Sequence, residues 1–246
     1  MSKNRSKEKL SKKKLFYRAI QKFPGLSIVQ YLHIKNTLFI VNPKVGSSSI
    51  IFSMVKDYLK KDNVTVEDFY DCVSYSRKPR LRSISKNTSF NFAITRDPFS
   101  RLYSCYKQKV LLDDQPRITK NYFFQYFPLI KNKQNFNDFV KAVCLIPDSL
   151  SEKHFMTQSR ILGYPKNSFN INKIYEISDL SQLEDDLRHE YSPTFNLERH
   201  NTTNKGSLDL TEIYDKKHLK MVYDRYYVDI VNFGYKELYL ELMDSL

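Results

Sequence analysis

Small and basic residues stand together at the end of an apolar run: Lys44, Gly46 and the three serines at 47–49. Backbone N–H groups at the start of a helix point outward, and the helix dipole favours negative charge there. Gly46 would let the backbone come close to an anion, and the serine hydroxyls would add donors, one of which could cap the helix. With Lys44 as a mobile positive charge, the pattern predicts a phosphate-binding turn.

This turn differs from the phosphate loop of ATPases and GTPases. That loop reads G-x-x-x-x-G-K-[ST], with the lysine after the second glycine, whereas Lys44 precedes Gly46 and no other glycine lies upstream in the turn. A P-loop nucleotide kinase is therefore disfavoured, although it stays an alternative. By itself the turn is equally compatible with an ordinary connection between a strand and a helix.

A second group of polar residues follows the apolar run 90–95. Arg96 would lie at the end of a strand, Asp97 is a candidate N-cap, and Pro98 suits the first helical position. Ser104 lies about two turns into the helix that follows. Arginine binds phosphate oxygens through paired hydrogen bonds, so Arg96 is a candidate phosphate ligand. The alternative is that Arg96 has a purely structural role, in a salt bridge beside a capped helix.

Both segments resemble the cofactor-binding motifs of sulfotransferases that use 3′-phosphoadenosine 5′-phosphosulfate (PAPS). Residues 43–48, P-K-x-G-[ST]-[ST], are similar to the 5′-phosphosulfate loop, and residues 96–106, R-D-P-[FY]-x-R-x-x-S-x-Y, are similar to the 3′-phosphate-binding motif. The resemblance implies that Arg96 and Ser104 bind the 3′-phosphate. It also implies that the turn holds the 5′-phosphosulfate through Lys44, Val45, Gly46, Ser47, Ser48 and Ser49.

Segments further along the chain extend the resemblance. Residues 154–158, His-Phe-Met-Thr-Gln, are similar to the H-W-x-P-Q segment of the carbohydrate sulfotransferase branch, with Phe155 and Thr157 in place of tryptophan and proline. Residues 200–206 and 226–235 are similar to the H-x-N-x-S and Y-x-x-D-x-x-x-F-G-Y segments of the family. The resemblance implies a carbohydrate sulfotransferase of the Golgi type (chondroitin/HNK-1-like). A relative that binds PAPS without turnover is also compatible with the two replaced residues.

The resemblance implies in-line sulfuryl transfer to a carbohydrate hydroxyl, in which positioning and electrostatics supply most of the catalysis. Lys44 would neutralise the oxygen that bridges to the leaving phosphate. The acceptor hydroxyl needs a base, and His154 is the first choice because histidine titrates near neutral pH; Glu152 is the second. Lys205 could reach a cofactor phosphate from a loop. No metal is expected, because the sequence shows no clear metal-ligand cluster.

The elements that would position these residues follow from hydrophobic periodicity. Strands are predicted at 37–42, 90–95 and 173–177, and helices at about 49–60, from 98 to about 110, and from 211 or 215 to about 232. Residues 62–88 are expected to form a loop with a short helix. Alternating strands and helices imply a parallel sheet with right-handed crossovers and a ligand at the carboxyl ends of its strands. The expected fold class is α/β: a P-loop-NTPase-like three-layer fold with a central parallel β-sheet flanked by helices.

Composition divides the chain of 246 residues, which carries a net charge of +13, into a basic tail and one domain. Residues 1–22 hold nine lysines or arginines and one glutamate, so we expect a tail at 1–25 and a sulfotransferase domain at 26–246. The tail could touch anionic lipid or nucleic acid, but a solvated extension is favoured. A basic nucleic-acid-binding protein without activity is a further alternative, although no recognised binding motif supports specific nucleic-acid binding.

The sequence gives weaker indications of the cellular location and of the acceptor. The sequence has no transmembrane run or signal peptide, and its three cysteines (Cys72, Cys105 and Cys144) suit free thiols, so a cytoplasmic enzyme is expected. Aromatic residues at 122–127 could stack on sugar rings, although core packing is favoured. The basic residues between 77 and 82 could bind an acidic glycan or simply face solvent. The sequence does not indicate an oligomeric state.

Overall fold

The computed structural model describes residues 28–111, 129–198 and 208–246. These residues form an α/β fold around a five-stranded sheet. The strands are β1 Ile28–Ile34, β2 Thr37–Val41, β3 Val73–Arg77, β4 Phe90–Thr95 and β5 Lys173–Glu176. Their order across the sheet is β3-β1-β2-β4-β5.

The three strands predicted from the sequence lie side by side and run parallel. β2 pairs with β4, and β4 pairs with β5, both in the parallel direction. The prediction of these strands is therefore confirmed. Because parallel strands end at the same edge, the carboxyl ends of β2, β4 and β5 meet where open α/β sheets bind their ligands.

The expected parallel sheet is confirmed only in part, because β1 runs antiparallel to both of its neighbours, β2 and β3, and the sheet is mixed. β1 and β2 form a hairpin that turns at Lys35 and Asn36, and Lys35 takes the positive φ of 53° that tight hairpin turns favour. The segment 62–88, expected to be mostly loop, contains β3 and two helices. β3 is a half-polar edge strand, so a search for apolar runs does not find it.

Ten α-helices lie in the described ranges. They are α1 Ser47–Leu59, α2 Val66–Cys72, α3 Lys78–Ser85, α4 Pro98–Tyr106, α5 Phe136–Leu145, α6 Gln158–Leu162, α7 Leu180–Glu190, α8 Lys216–Arg225, α9 Tyr227–Phe233 and α10 Lys236–Ser245. The predicted helix that starts at Pro98 is α-helical only to Tyr106 and continues as a π-helical turn over Lys107–Leu111. The predicted last helix is divided into α8 and α9 at Tyr226.

Helices cover both faces of the sheet, as the three-layer prediction requires. Side chains alternate between the faces along each strand: Phe39 and Val41 pack with α1 and α7, whereas Leu38 and Ile40 pack with α3 and α6. A further apolar core joins α4, α5, α8 and α10 beside the sheet. Within the described ranges, no helix has the length and apolar character needed to cross a membrane.

Candidate active site

The two predicted phosphate-binding segments lie next to each other at the carboxyl edge of the sheet. The first follows β2 and the second follows β4, which are adjacent strands. Asn42 Nδ2 donates to the Ile94 carbonyl at 3.0 Å, and Arg96 Nη1 lies 3.5 Å from the Lys44 carbonyl oxygen. The structure therefore brings Lys44 and Arg96, which are 52 residues apart in sequence, to one site.

The turn between β2 and α1 leaves the start of the helix open. Gly46 is the N-cap residue, its φ is 74°, and no side chain caps the helix or places an acidic group in its first turn. The expectation that a serine caps α1 is wrong: Ser47 Oγ donates back to the Asn42 carbonyl, and Ser48 is exposed. Backbone N–H groups with no acidic neighbour in the first turn suit an incoming anion.

Gly46 is needed in this turn for its backbone conformation. The left-handed φ is one that side-chain-bearing residues rarely adopt, whereas a Cβ added there would meet only the Ile177 side chain, at 3.5 Å. Lys44 also has a positive φ, of 73°. A non-glycine residue in this region carries strain, which is characteristic of functional sites.

The Lys44 ammonium group is held in a largely buried and positive environment. Nζ donates to Gln108 Oε1 at 3.0 Å. Burial lowers the pKa of Lys44 to about 8, and the positive charges of Lys109, Arg96 and Arg101 act in the same direction. A bound anion would stabilise the charged forms of these neighbouring cations. The cluster therefore suits a phosphate or sulfate ligand.

Ser104, the second predicted ligand of the 3′-phosphate, lies half-buried on α4. Asp97 caps this helix as predicted, because its Oδ1 accepts from the Ser100 N–H at 2.7 Å. Within the part of the chain that the structure describes, no hydrogen bond joins Ser104 to Arg96 or Lys44. The role of Ser104 stays a prediction.

Gln158 holds the ends of β2 and β4 together, a role that the sequence did not indicate. Its Oε1 accepts from Asn42 Nδ2 at 2.7 Å and from the Arg96 N–H at 3.1 Å, while its Nε2 donates to the Arg96 carbonyl at 2.8 Å. Gln158 is fully buried. It fixes the backbone of Arg96 from both sides, so the motif that contains His154 also supports the second phosphate segment.

The C-terminal motif supports Gln158 in turn. Asp229 on α9 is fully buried, and its carboxylate accepts from the N–H groups of Gln158 and Ser159 at 2.7 and 2.8 Å, which caps α6. Tyr226 donates to the Phe155 carbonyl at 2.6 Å, and Tyr235 donates to Thr95 Oγ1 at 3.1 Å. The segment 226–235 therefore supports the site by holding the neighbouring segments in place.

Arg101 is a second residue whose role the sequence did not reveal. Its side chain is buried, and it donates to three backbone carbonyls: Pro43 at 3.1 Å, Met156 at 2.8 Å and Lys153 at 3.2 Å. The guanidinium group thus joins the phosphate turn to the segment that carries His154. The sequence evidence for Arg101 was its position as the second arginine of the R-D-P-[FY]-x-R motif. That position is equally compatible with a phosphate ligand and with the structural role observed.

His154 and Glu152, the two candidate bases, form one pair. His154 Nδ1 lies 2.7 Å from the carboxylate oxygens of Glu152. Burial lowers the pKa of His154 below its usual range, and Lys109 and Lys153 act in the same direction while Glu152 opposes them. Burial favours the neutral form of Glu152, but His154, Lys109 and Lys153 outweigh it and lower the pKa of this carboxyl group. The free protein therefore holds a neutral imidazole against a carboxylate.

Other predicted positions fall outside the described residues: Lys205, the rest of 200–206, and the aromatic residues at 122–127. The three cysteines form no disulfide within the described residues, as expected for thiols. In the described ranges, no group of three or more His, Cys, Asp or Glu side chains could hold a metal ion.

The edge of the sheet in this α/β protein, with its open helix start and clustered cations, has the features that suit an anionic ligand. The chain belongs to the sulfotransferase family, because the family model described as "Sulfotransferase family" matches residues 10–236. No curated protein and no solved structure matches the chain. Family membership identifies the protein as a transferase of sulfuryl groups, and it is consistent with a P-loop-like fold.

Proposed function

We propose that the protein transfers a sulfuryl group from PAPS to a hydroxyl group of a carbohydrate, on a P-loop-NTPase-like fold. Sulfotransferases generally use PAPS. The observation that carries the proposal is the position of Gln158, which bonds Asn42, beside the phosphate turn, and both backbone groups of Arg96. It brings the two candidate phosphate segments and the His154 segment together within one hydrogen-bonded unit.

The residues present fit a donor that carries phosphate groups at two positions. The open start of α1 and Lys44 would bind the 5′-phosphosulfate, and Arg96 with Ser104 would bind the 3′-phosphate. PAPS would supply the sulfuryl group and leave as the 3′,5′-bisphosphate. Lys44 would hold its positive charge at the oxygen on which negative charge develops, which is the usual source of most catalysis at such sites.

His154 would accept the proton of the acceptor hydroxyl through Nε2, because Nδ1 is engaged by Glu152. Glu152 is then the residue that orients the imidazole and stabilises its protonated form, in the way that the carboxylate of a Ser-His-Asp triad does. Lys109 and Lys153 lower the pKa of His154 in the free protein. Negative charge bound beside them would raise this pKa toward the range in which a base is effective.

Basic side chains beyond His154 support an acidic carbohydrate as the acceptor. β3 runs parallel to β2, since both are antiparallel to β1, so Arg77 lies at the ligand edge about two strand spacings (~10 Å) from the turn. Lys153 Nζ reaches Gln30 Oε1 on β1, between them, at 3.3 Å. Lys78 donates to the Arg160 carbonyl at 2.7 Å. These cations form a strip along the sheet edge, which suits carboxylates or sulfates on the acceptor.

Calorimetric titration with adenosine 3′,5′-bisphosphate, beside AMP and ATP, tests the donor. We expect micromolar binding that requires the 3′-phosphate and is lost in Arg96→Ala. Arg188→Ala is the matched control, because Arg188 pairs with Glu184 and Asp185 on the surface of α7. Equal binding of AMP would contradict the proposal, and Mg²⁺-dependent turnover of ATP would favour the kinase alternative.

A further inference from the structure

The turn after α4 places an uncharged acceptor against the candidate catalytic lysine. α4 ends at Tyr106, and Lys107–Leu111 forms a π-helical turn. Gln108 lies in this turn, and its Oε1 accepts from Lys44 Nζ at 3.0 Å across 64 residues of sequence. Single π-helical turns are rare and occur frequently at functional sites. In the described part of the chain, this is the only hydrogen bond of the Lys44 ammonium group.

The chemistry of Gln108 suits a residue that orients a lysine without neutralising it. The ammonium group has three N–H donors, so a bond to Gln108 leaves two for oxygens of a bound anion. Burial is the main cause of the lowered pKa of Lys44; Cys105 opposes it, and three cations, Lys109, Arg96 and Arg101, repel the ammonium group and do not hold it. A carboxylate in place of the amide would bind the ammonium more strongly, but would also repel an anionic donor.

We propose that Gln108 is a positioning residue for Lys44: it fixes the direction of the ammonium group both before and during sulfuryl transfer. The inference rests on the proposed function, in which Lys44 acts on the bridging oxygen. A lysine has four rotatable side-chain bonds, so loss of Gln108 would leave the charge present but poorly placed. Misplacement of a catalytic group by about 1 Å can lower the rate by about 10²-fold.

The first test separates rate from affinity. In Gln108→Ala we expect kcat to fall by about 10-fold or more, while the Kd for adenosine 3′,5′-bisphosphate changes by less than about 3-fold. A purely structural role would instead lower thermal stability and donor affinity together. A wild-type kcat in Gln108→Ala, with Lys44→Ala inactive, would overturn the inference and leave the proposed function intact. Full activity in Lys44→Ala would overturn both.

The second test needs no turnover. The pKa of Lys44 is measured by NMR of the lysine side-chain nitrogens in the free protein and in Gln108→Glu. We expect the new carboxylate to raise the pKa of Lys44 by about one unit or more and to weaken binding of the bisphosphate. Gln182→Glu adds the same charge on the exposed surface of α7 and should leave this pKa unchanged. An unchanged Lys44 pKa in Gln108→Glu would show that the contact is absent in solution.

Discussion

Lys44 is the residue whose titration should be visible in the function of the protein. Burial lowers its pKa to about 8 in the free protein, so the ammonium form is present below pH 8 and is lost above it. Because kcat/KM reports ionisations of the free enzyme, we expect kcat/KM for PAPS to fall about tenfold for each pH unit above 8. The measurement is a pH profile of initial rates at low PAPS concentration.

Lys44→Arg provides the control for this profile. Arginine keeps its charge over the whole range, so the variant should show a lower rate but no decline between pH 8 and pH 10. A wild-type profile that stays flat up to pH 10 would show that the protonation of Lys44 does not limit the reaction.

The His154–Glu152 pair makes a second prediction at this scale. General base catalysis contributes about 10²–10⁴-fold to rate, so His154→Ala should lower kcat by that factor and leave bisphosphate affinity nearly unchanged. Glu152→Gln keeps the shape of the orienting group but removes its charge, and should lower kcat by less. If Glu152→Gln were inactive and His154→Ala active, Glu152 would be the base.

Residue types near a motif predicted only part of this site. Lys44, Gly46 and Arg96 were predicted because the chemistry of phosphate binding restricts which side chains and spacings serve it, and the structure places them close together. Gln158 and Arg101 were missed because their partners come from distant segments and, apart from the Asn42 side chain, are backbone carbonyls and N–H groups. Such contacts depend on how the chain folds. Residue type alone does not distinguish Gln158 or Arg101 from the other glutamines and arginines of the chain.

At the scale of elements, β2, β4 and the short β5 were predicted, whereas β1, β3 and α6 were not. β2 and β4 are buried along their whole length, which gives the continuous apolar pattern of strands covered on both faces. β3 has two buried residues among five, and its place in the sheet depends on pairing with β1. The helix α6 was not predicted for the same reason: it has only five residues, and tertiary contacts stabilise it.

Asp229 provides a test of how the helices support the site. Its carboxylate accepts from two buried N–H groups at the start of α6. In Asp229→Asn one acceptor oxygen is replaced by a donor, which leaves a buried N–H unsatisfied at a cost of about 1–3 kcal/mol. We expect that loss in the free energy of unfolding, measured by urea denaturation, together with weaker bisphosphate binding.

Asp224→Asn is the matched control for this change. Asp224 pairs with Lys220 on the exposed face of α8, so its substitution should alter the free energy of unfolding by less than about 0.5 kcal/mol. Equal stability losses in the two variants would show that the cap of α6 is not an important contact.

At the scale of the whole molecule, residues 1–22 contribute +8 of the net charge of +13, and the strip of cations along the sheet edge is a separate local feature. Reversal of the strip, in Arg77→Glu with Lys78→Glu, should raise the KM for an acidic glycan by about tenfold or more at low salt and leave the KM for PAPS unchanged. The effect should shrink as salt is added, because exposed charges are screened.

The same double reversal on a distant surface is the control for the strip. Lys217→Glu with Lys220→Glu on α8 changes the net charge equally and should leave the KM for the glycan unchanged. An equal rise in both double variants would indicate a general effect of net charge.

Any nucleic-acid binding that disappears when residues 1–22 are removed would belong to the N-terminal tail. The boundary of this tail at residue 25 stays a prediction, as does the cytoplasmic location.

The buried guanidinium group of Arg101 has a consequence for how relatives of this chain are interpreted. Because Arg101 bonds three carbonyls, we expect selection for the architecture alone to retain it, whether or not the protein has substrates. A descendant that had lost its activity would still keep this residue, together with Gln158 and Asp229. Under the proposed mechanism, catalytic competence among divergent homologues is therefore judged better by Lys44 and His154 than by the length of the motif that surrounds them.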